Sequence, residues 1–146
     1  MNQTEVNRRN SARRLAAVIS ANFDRVRILT LPCGPAVCIC RKYADAQYIA
    51  LIRRARCLMG GPFPYVRFVE YTDKAGISFH LIADIPPDIC RELAAMWFIG
   101  KAFAKEQTPE ELKALAKRLP YKPWNALPPN RQAWSASRGL MRIPPS

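Results

Sequence analysis

The stretch from Tyr65 to Ile85 constrains the fold more than any other part of the chain. Gly60, Gly61, Pro62 and Pro64 close it on one side and Pro86 and Pro87 on the other. Glycine and proline interrupt regular structure, the first through backbone freedom and the second through its missing amide donor. Between these stops lie two runs rich in β-branched and aromatic residues, Tyr65 to Thr72 and Ile77 to Ile85, joined by Asp73-Lys74-Ala75-Gly76. Their proximity and the turn chemistry between them predict an antiparallel hairpin.

Elements of both kinds surround it. Residues 4–23 read as a helix that carries Arg8, Arg9, Arg13 and Arg14 and then turns apolar through Leu15, Val18 and Ile19. Its basic half suits phosphate contact and a solvated, frayed terminus equally well. Arg25 to Cys33 is apolar and β-branched and stops at Pro32 and Gly34, which predicts a strand. Residues 35–41 are ambiguous between loop and short strand. From Asp45 to Met59 the pattern is helical, with Tyr48, Ile49, Ile52, Ala55 and Met59 on one face and Arg53, Arg54 and Arg56 off it.

After the hairpin, Asp88 is a suitable N-cap for a helix bearing Ile89, Leu93, Met96 and Trp97. Thr108-Pro109-Glu110-Glu111 has capping-box order with proline at the first helical position. The helix it opens carries Leu112, Leu115, Ala116 and Leu119 and is broken by Pro120 and Pro123. Beyond it the chain is Pro-rich, with little periodicity, yet Trp124, Trp134 and Met141 call for packing on the body or on a partner. These elements predict an α+β fold, an antiparallel β-sheet packed with helices. Three parts follow: a basic N-terminal helix over 1–24, an α+β domain over 25–123, and a Pro-rich tail over 124–146 that packs on the domain.

Charge narrows the partners. Twenty-three Lys and Arg against eleven Asp and Glu give the 146-residue chain a net charge of +12. Charge of that size concentrates polyanions, and nucleic acid is the usual one. The plainer alternative is charge that only maintains solubility, but the basic residues cluster. No apolar segment resembles a secretory signal or reaches the ~18 residues that span a bilayer, so a cytoplasmic protein with no membrane partner is expected. Reduced thiols follow for Cys33, Cys38, Cys40, Cys57 and Cys90. The first three lack zinc-site spacing and a nearby histidine, so they read as small packing groups.

His80 is the single histidine. On a strand, Ser78, His80 and Asp84 share a face. If Thr72 pairs with Ser78, Glu70 lies opposite His80, with Cβ atoms ~5 Å apart. Glu70 and His80 would then offer two ligands to a divalent metal, with Ser78 a poor third. A hard or borderline cation usually takes more anionic or imidazole donors than this. A polar pair on a half-buried sheet face is the competing reading.

The hairpin Tyr65 to Pro86 (YVRFVEYTDKAGISFHLIADIP) resembles the central hairpin of rolling-circle replication initiators of filamentous phages and small plasmids, in the HUH endonuclease superfamily. That family shows Glu in one strand, a Gly turn, then His-hydrophobic-His in the next. Trp97-Phe98-Ile99-Gly100 is similar to its Trp-x-x-Gly element. Leu115-Ala116-Lys117 resembles the start of its nucleophile helix, and Trp134-Ser135-Ala136-Ser137-Arg138-Gly139-Leu140, with Pro144, resembles its Ser-Arg-Asn-Leu closing motif. The resemblance runs in order from about residue 25 to the end. It implies a ferredoxin-like sandwich and an active site in which two histidines hold a metal and a tyrosine attacks the scissile phosphate.

The departures imply that nicking is lost. Ser78 occupies the first histidine's place. The tyrosine expected near Arg118 is absent, and Tyr121 lies beyond Pro120. Three residues turn a side chain most of the way round a helix, and positional catalysis does not survive such a displacement uncompensated. What remains is binding. Lys113, Lys117, Arg118 and Lys122, with Arg53, Arg54, Arg56 and Arg138, suit phosphate contact, while Tyr121, Trp124 and Trp134 suit either base stacking or burial.

The leading expectation is a non-catalytic nucleic-acid-binding protein that takes single-stranded or hairpin DNA and needs no cofactor. One alternative is a nickase using Mg or Mn on Glu70 and His80 with Tyr121 as nucleophile. The other is a phage-encoded inhibitor of a host nucleoprotein complex, anti-CRISPR-like in role.

Overall fold

Strand burial and strand order together set the architecture. The computed structural model describes residues 3–23, 25–33, 41–72, 76–108, 110–112, 114 and 134–137. Helix α1 (Gln3–Asn22) leads into β1 (Val26–Pro32). Then come α2 (Arg41–Met59), the hairpin strands β2 (Val66–Thr72) and β3 (Gly76–Ala83), α3 (Pro87–Met96), β4 (Phe103–Gln107) and β5 (Trp134–Ala136). The strands make one antiparallel sheet in the order β4-β1-β3-β2-β5. The α+β fold with an antiparallel sheet is thus present. From β1 to β4 the chain runs βαββαβ with β3 between β1 and β2, the split arrangement of a ferredoxin-like sandwich.

Each face of the sheet has its own core. Leu29, Leu31, Val69, Phe79, Leu81 and Ala83 pack with Ala44, Tyr48, Leu51, Ile52 and Ala55 of α2 and with Cys90, Leu93 and Trp97 at α3. On the opposite face, Ile28, Val66, Phe68 and Ile82 pack with Leu15, Ile19 and Phe23 from α1 and with Leu112. The apolar half of α1 is therefore the half that docks, while Arg9, Arg13 and Arg14 stay exposed.

Several boundaries differ from those expected. Helix α2 starts at Arg41 rather than Asp45. Its buried stripe runs through Ala44, Tyr48, Leu51, Ile52 and Ala55, which leaves Ile49 51% exposed. Stepping by four, three and four from Ala44 keeps a helix face aligned, and Ile49 falls off it. Asp88 is not the N-cap of α3; Pro86 is, without a side-chain bond, and Pro87 starts the helix. Proline presets the φ that a first helical turn needs, so the Pro-Pro pair both ends the strand and opens the helix. Asp88 then lies in the first turn, where the exposed amides favour negative charge.

The Thr108 capping box forms as expected. The Glu111 amide donates to Thr108 Oγ1 at 3.2 Å, and the Thr108 amide donates to Glu111 Oε1 at 3.4 Å. Two strands had no signal in the pattern. Phe103–Gln107 (FAKEQ) is an almost wholly exposed edge strand held by pairing with β1, and three tail residues form the other edge beside β2.

The Trp97-x-x-Gly100 element has a local structural purpose. Trp97 Nε1 donates to the Pro32 carbonyl at 2.7 Å, and a Cβ placed on Gly100 would lie 2.6 Å from the same oxygen. Both residues thus let the segment after α3 close over the end of β1. A side chain at Gly61, by contrast, would meet nothing within 4 Å. In urea unfolding, Gly100→Ala is expected to destabilise the protein by about 1–3 kcal/mol, since a carbonyl cannot move aside without moving β1. Gly61→Ala should leave stability unchanged or raise it by up to about 1 kcal/mol. Equal effects of the two changes would refute this account of the closure.

Candidate nucleic-acid interface

The backbone register lines up Phe103, Thr30, His80, Phe68 and Trp134 as one row across all five strands. Phe68 is fully buried in the α1 layer, Thr30 and His80 are half-buried, and Phe103 is 54% exposed. Thr30 Oγ1 and His80 Nδ1 are hydrogen-bonded at 3.1 Å, and the Phe68 ring lies tilted with its centre 6.1 Å from the imidazole. The row therefore opens progressively from β2 toward β4.

Glu70 does not face His80. Thr72 pairs with Gly76 rather than Ser78, so Glu70 lies opposite Ser78, and Phe68 lies opposite His80. The connection is tighter than expected because Gly76 joins the ladder instead of the turn. Glu70 and His80 become diagonal neighbours, typically about 7–8 Å apart rather than ~5 Å. Among the described residues, no three His, Cys, Asp or Glu side chains come together as a metal site.

Of the basic residues expected to bind nucleic acid, Arg53, Arg54 and Arg56 are exposed on α2. Arg54 Nη2 lies 2.9 Å from Glu92 Oε1 on α3, so this arginine ties two helices together. Arg53 and Arg56 have no carboxylate partner among the described residues. Lys113, Lys117, Arg118, Tyr121, Lys122 and Arg138 lie outside the described residues. Within the closing motif, Ser137 is pinned to Tyr65: its amide donates to the Tyr65 carbonyl at 2.9 Å, and its Oγ accepts the Tyr65 amide at 2.8 Å.

One polar residue escaped the reading of the sequence. Arg67 lies on the α2-facing side of β2, half-buried, with its guanidinium carbon 5.2 Å from the centre of the Tyr48 ring and 5.9 Å from that of Phe79. A signal existed. Val69 at the next like-facing position is buried in the core under α2, so period-two alternation sends Arg67 inward too. The Tyr48 hydroxyl beneath it has no solvent contact and makes no well-formed hydrogen bond among the described residues. Burial, and then the Tyr65 phenol, push its pKa well above the ordinary phenol value, against an opposing pull from the charge of Arg67.

No helix among the described residues is long and apolar enough to cross a membrane. Compared with protein-family models, curated proteins and solved structures, the chain matches none.

Two stability tests follow from these contacts. The Arg54–Glu92 pair is half-exposed on both sides, so a double-mutant cycle with Arg54→Ala and Glu92→Ala should give a coupling below about 1 kcal/mol. A larger value would mean that the pair organises the α2–α3 layer. For Tyr48, the folded state holds the phenol proton that the unfolded chain loses near pH ~10. Stability should therefore fall above that pH by more in the wild type than in Tyr48→Phe. Parallel denaturation curves at pH 8 and pH 11 check this, and identical losses in the two proteins would refute it.

Proposed function

We propose that the chain is a non-catalytic nucleic-acid-binding protein on a scaffold like that of rolling-circle replication initiators, taking single-stranded or hairpin DNA. The observation that carries this reading is the set of arginines standing out from both helical layers: Arg9, Arg13 and Arg14 on α1, Arg53 and Arg56 on α2. Phosphate backbones are bound through many such side chains, each of which releases condensed counterions. The βαββαβ order supports the initiator resemblance at the level of topology. The non-catalytic part rests on the hairpin, where Ser78 replaces an imidazole, His80 Nδ1 is engaged with Thr30, and Glu70 is offset by one pair.

Fluorescence polarisation with labelled single-stranded, hairpin and duplex DNA across a salt series tests the proposal, with and without manganese and with products resolved on a denaturing gel. Binding should weaken steeply with salt and need no metal, and the DNA should remain intact. Replacing both Arg53 and Arg56 with Ala should make the plot of log K against log salt shallower. On a single strand the change should be roughly 0.7 for each phosphate that the variant no longer neutralises. Binding indifferent to salt would overturn the proposal. A cleaved strand or covalent adduct abolished by Tyr121→Phe would establish a nickase instead. Absence of binding to every DNA would point to a host nucleoprotein as the target.

A further inference from the structure

Arg67 is a charged group in a position built for an apolar one. Its neighbours on that face of the sheet, Val69, Phe79 and Leu81, are buried, and α2 covers them. A guanidinium carries five N–H donors in its plane, whereas aromatic contacts satisfy only its faces. Tyr48 and Phe79 supply those face contacts. Among the described residues, no carboxylate, carbonyl or hydroxyl accepts a hydrogen bond from Arg67. Its nitrogens are not sealed from solvent, so water or a bound anion can supply the acceptors that the fold does not.

The surroundings specify what that acceptor would be. The Tyr48 ring lies under that guanidinium, while its hydroxyl is shut off from solvent beside the Tyr65 phenol. Arg56, near the end of α2, is close enough for its charge to act on the Tyr48 phenol, as Arg67's does. Ser135 stands opposite Arg67 on the edge strand β5 and is half-buried. No acidic side chain among the described residues pairs with either arginine. The corner between α2 and the β2–β5 edge thus has two guanidiniums and the Ser135 hydroxyl, and among the described residues no carboxylate balances them. It also has a stacking surface: the half-buried Tyr65 ring lies 5.5 Å from Phe63 at a 30° tilt and 6.4 Å edge-on from Tyr48.

We propose that this corner, centred on Arg67 with Arg56, Tyr48 and Tyr65, is a phosphate-binding subsite for a nucleotide unit of single-stranded nucleic acid, with Tyr65 placed to stack on the base. The assignment rests on the nucleic-acid-binding reading and adds to it a location, on the α2 face of the sheet and away from the His80 row. A phosphodiester offers several acceptor oxygens and one negative charge. Planar, forked guanidinium recognition suits that shape better than a point charge does. Aromatic stacking beside a cationic groove is the general way unpaired strands are held without sequence readout.

The test uses the full chain, with an oligo-dT strand and dTMP as probes. In the first arm, binding of the strand is measured across salt for the wild type, Arg67→Lys and Arg67→Gln, with thermal melts to establish folding. Arg67→Gln should weaken binding roughly tenfold and make the salt dependence shallower by about one phosphate's worth. Arg67→Lys should keep the salt slope while still losing affinity. In the second arm, the Arg67 Nε–Hε NMR signal, identified by its loss in Arg67→Lys, should move on addition of dTMP and of the strand. This arm decides even if Arg67→Gln fails to fold. A folded Arg67→Gln that binds like the wild type, with an unmoved Arg67 signal, would overturn the subsite while leaving DNA binding intact. If dTMP moves the signal but no strand binds, the subsite holds and the DNA-binding reading falls. If neither occurs, both fall.

Discussion

Strand β3 lies at the middle of the five, paired to β1 on one side and β2 on the other. Phe79, Leu81 and Ala83 on one face and Ile82 on the other have no solvent exposure. Burying a large apolar side chain is worth roughly 1.5–3 kcal/mol, so a strand with such residues on both faces requires a cover on each. That requirement gives α1 a place on one side and α2 with α3 on the other. It also explains why the edges can be poor strands. With β1, β3 and β2 already sandwiched, β4 and β5 need only complete backbone pairing, and FAKEQ and WSA serve. The Trp97 and Gly100 contacts on the Pro32 carbonyl then hold the path from α3 into β4.

Against this apolar frame, the polar residues on the sheet faces stand out. Thr30 and His80 satisfy each other within the half-open part of their row. Arg67 has ring faces against its own and no acceptor among the described residues. His80 Nδ1 thus has a partner within the fold, whereas the guanidinium of Arg67 is open to one from outside it. This contrast explains why the two sites lead to different expectations. Among the described residues the His80 row gathers no three metal-ligating side chains, whereas the Arg67 corner carries cationic donors.

Much of the fold was legible because local signals and packing agreed. The Pro and Gly stops around residues 65–85 bounded the hairpin, and the capping box at Thr108 formed in the expected geometry. Where they disagreed, tertiary context won. Ile49 is apolar and lies within a helix, yet its angular position falls outside the stripe defined by Ala44, Tyr48, Leu51 and Ala55. The strands β4 and β5 were illegible because edge strands can borrow order from a neighbour, with weak propensity of their own. Hairpin register was the most consequential gap: whether Gly76 belongs to turn or ladder moves Glu70 from one partner to another. Candidate site residues beyond 114 were legible only as composition and resemblance. Arg67 was visible in principle, as a charge at an inward position of an alternating strand, but only once the face of β2 was known.

Charge and fold meet in one further consequence. Even if each of the eleven acidic residues were paired with one of the twenty-three basic ones, twelve cations would remain. The Arg54–Glu92 and Arg27–Glu106 pairs, both among the described residues, are exposed enough to be screened. Self-repulsion of this size opposes the compact state, and no rearrangement of the chain's own side chains can remove it. A bound polyanion can, and whatever binds the folded form preferentially also stabilises it. On this view Arg67 is the local form of a global condition. The isolated fold carries positive charge beyond what its own groups neutralise, and at Arg67 part of that excess is held where solvent reaches it only in part.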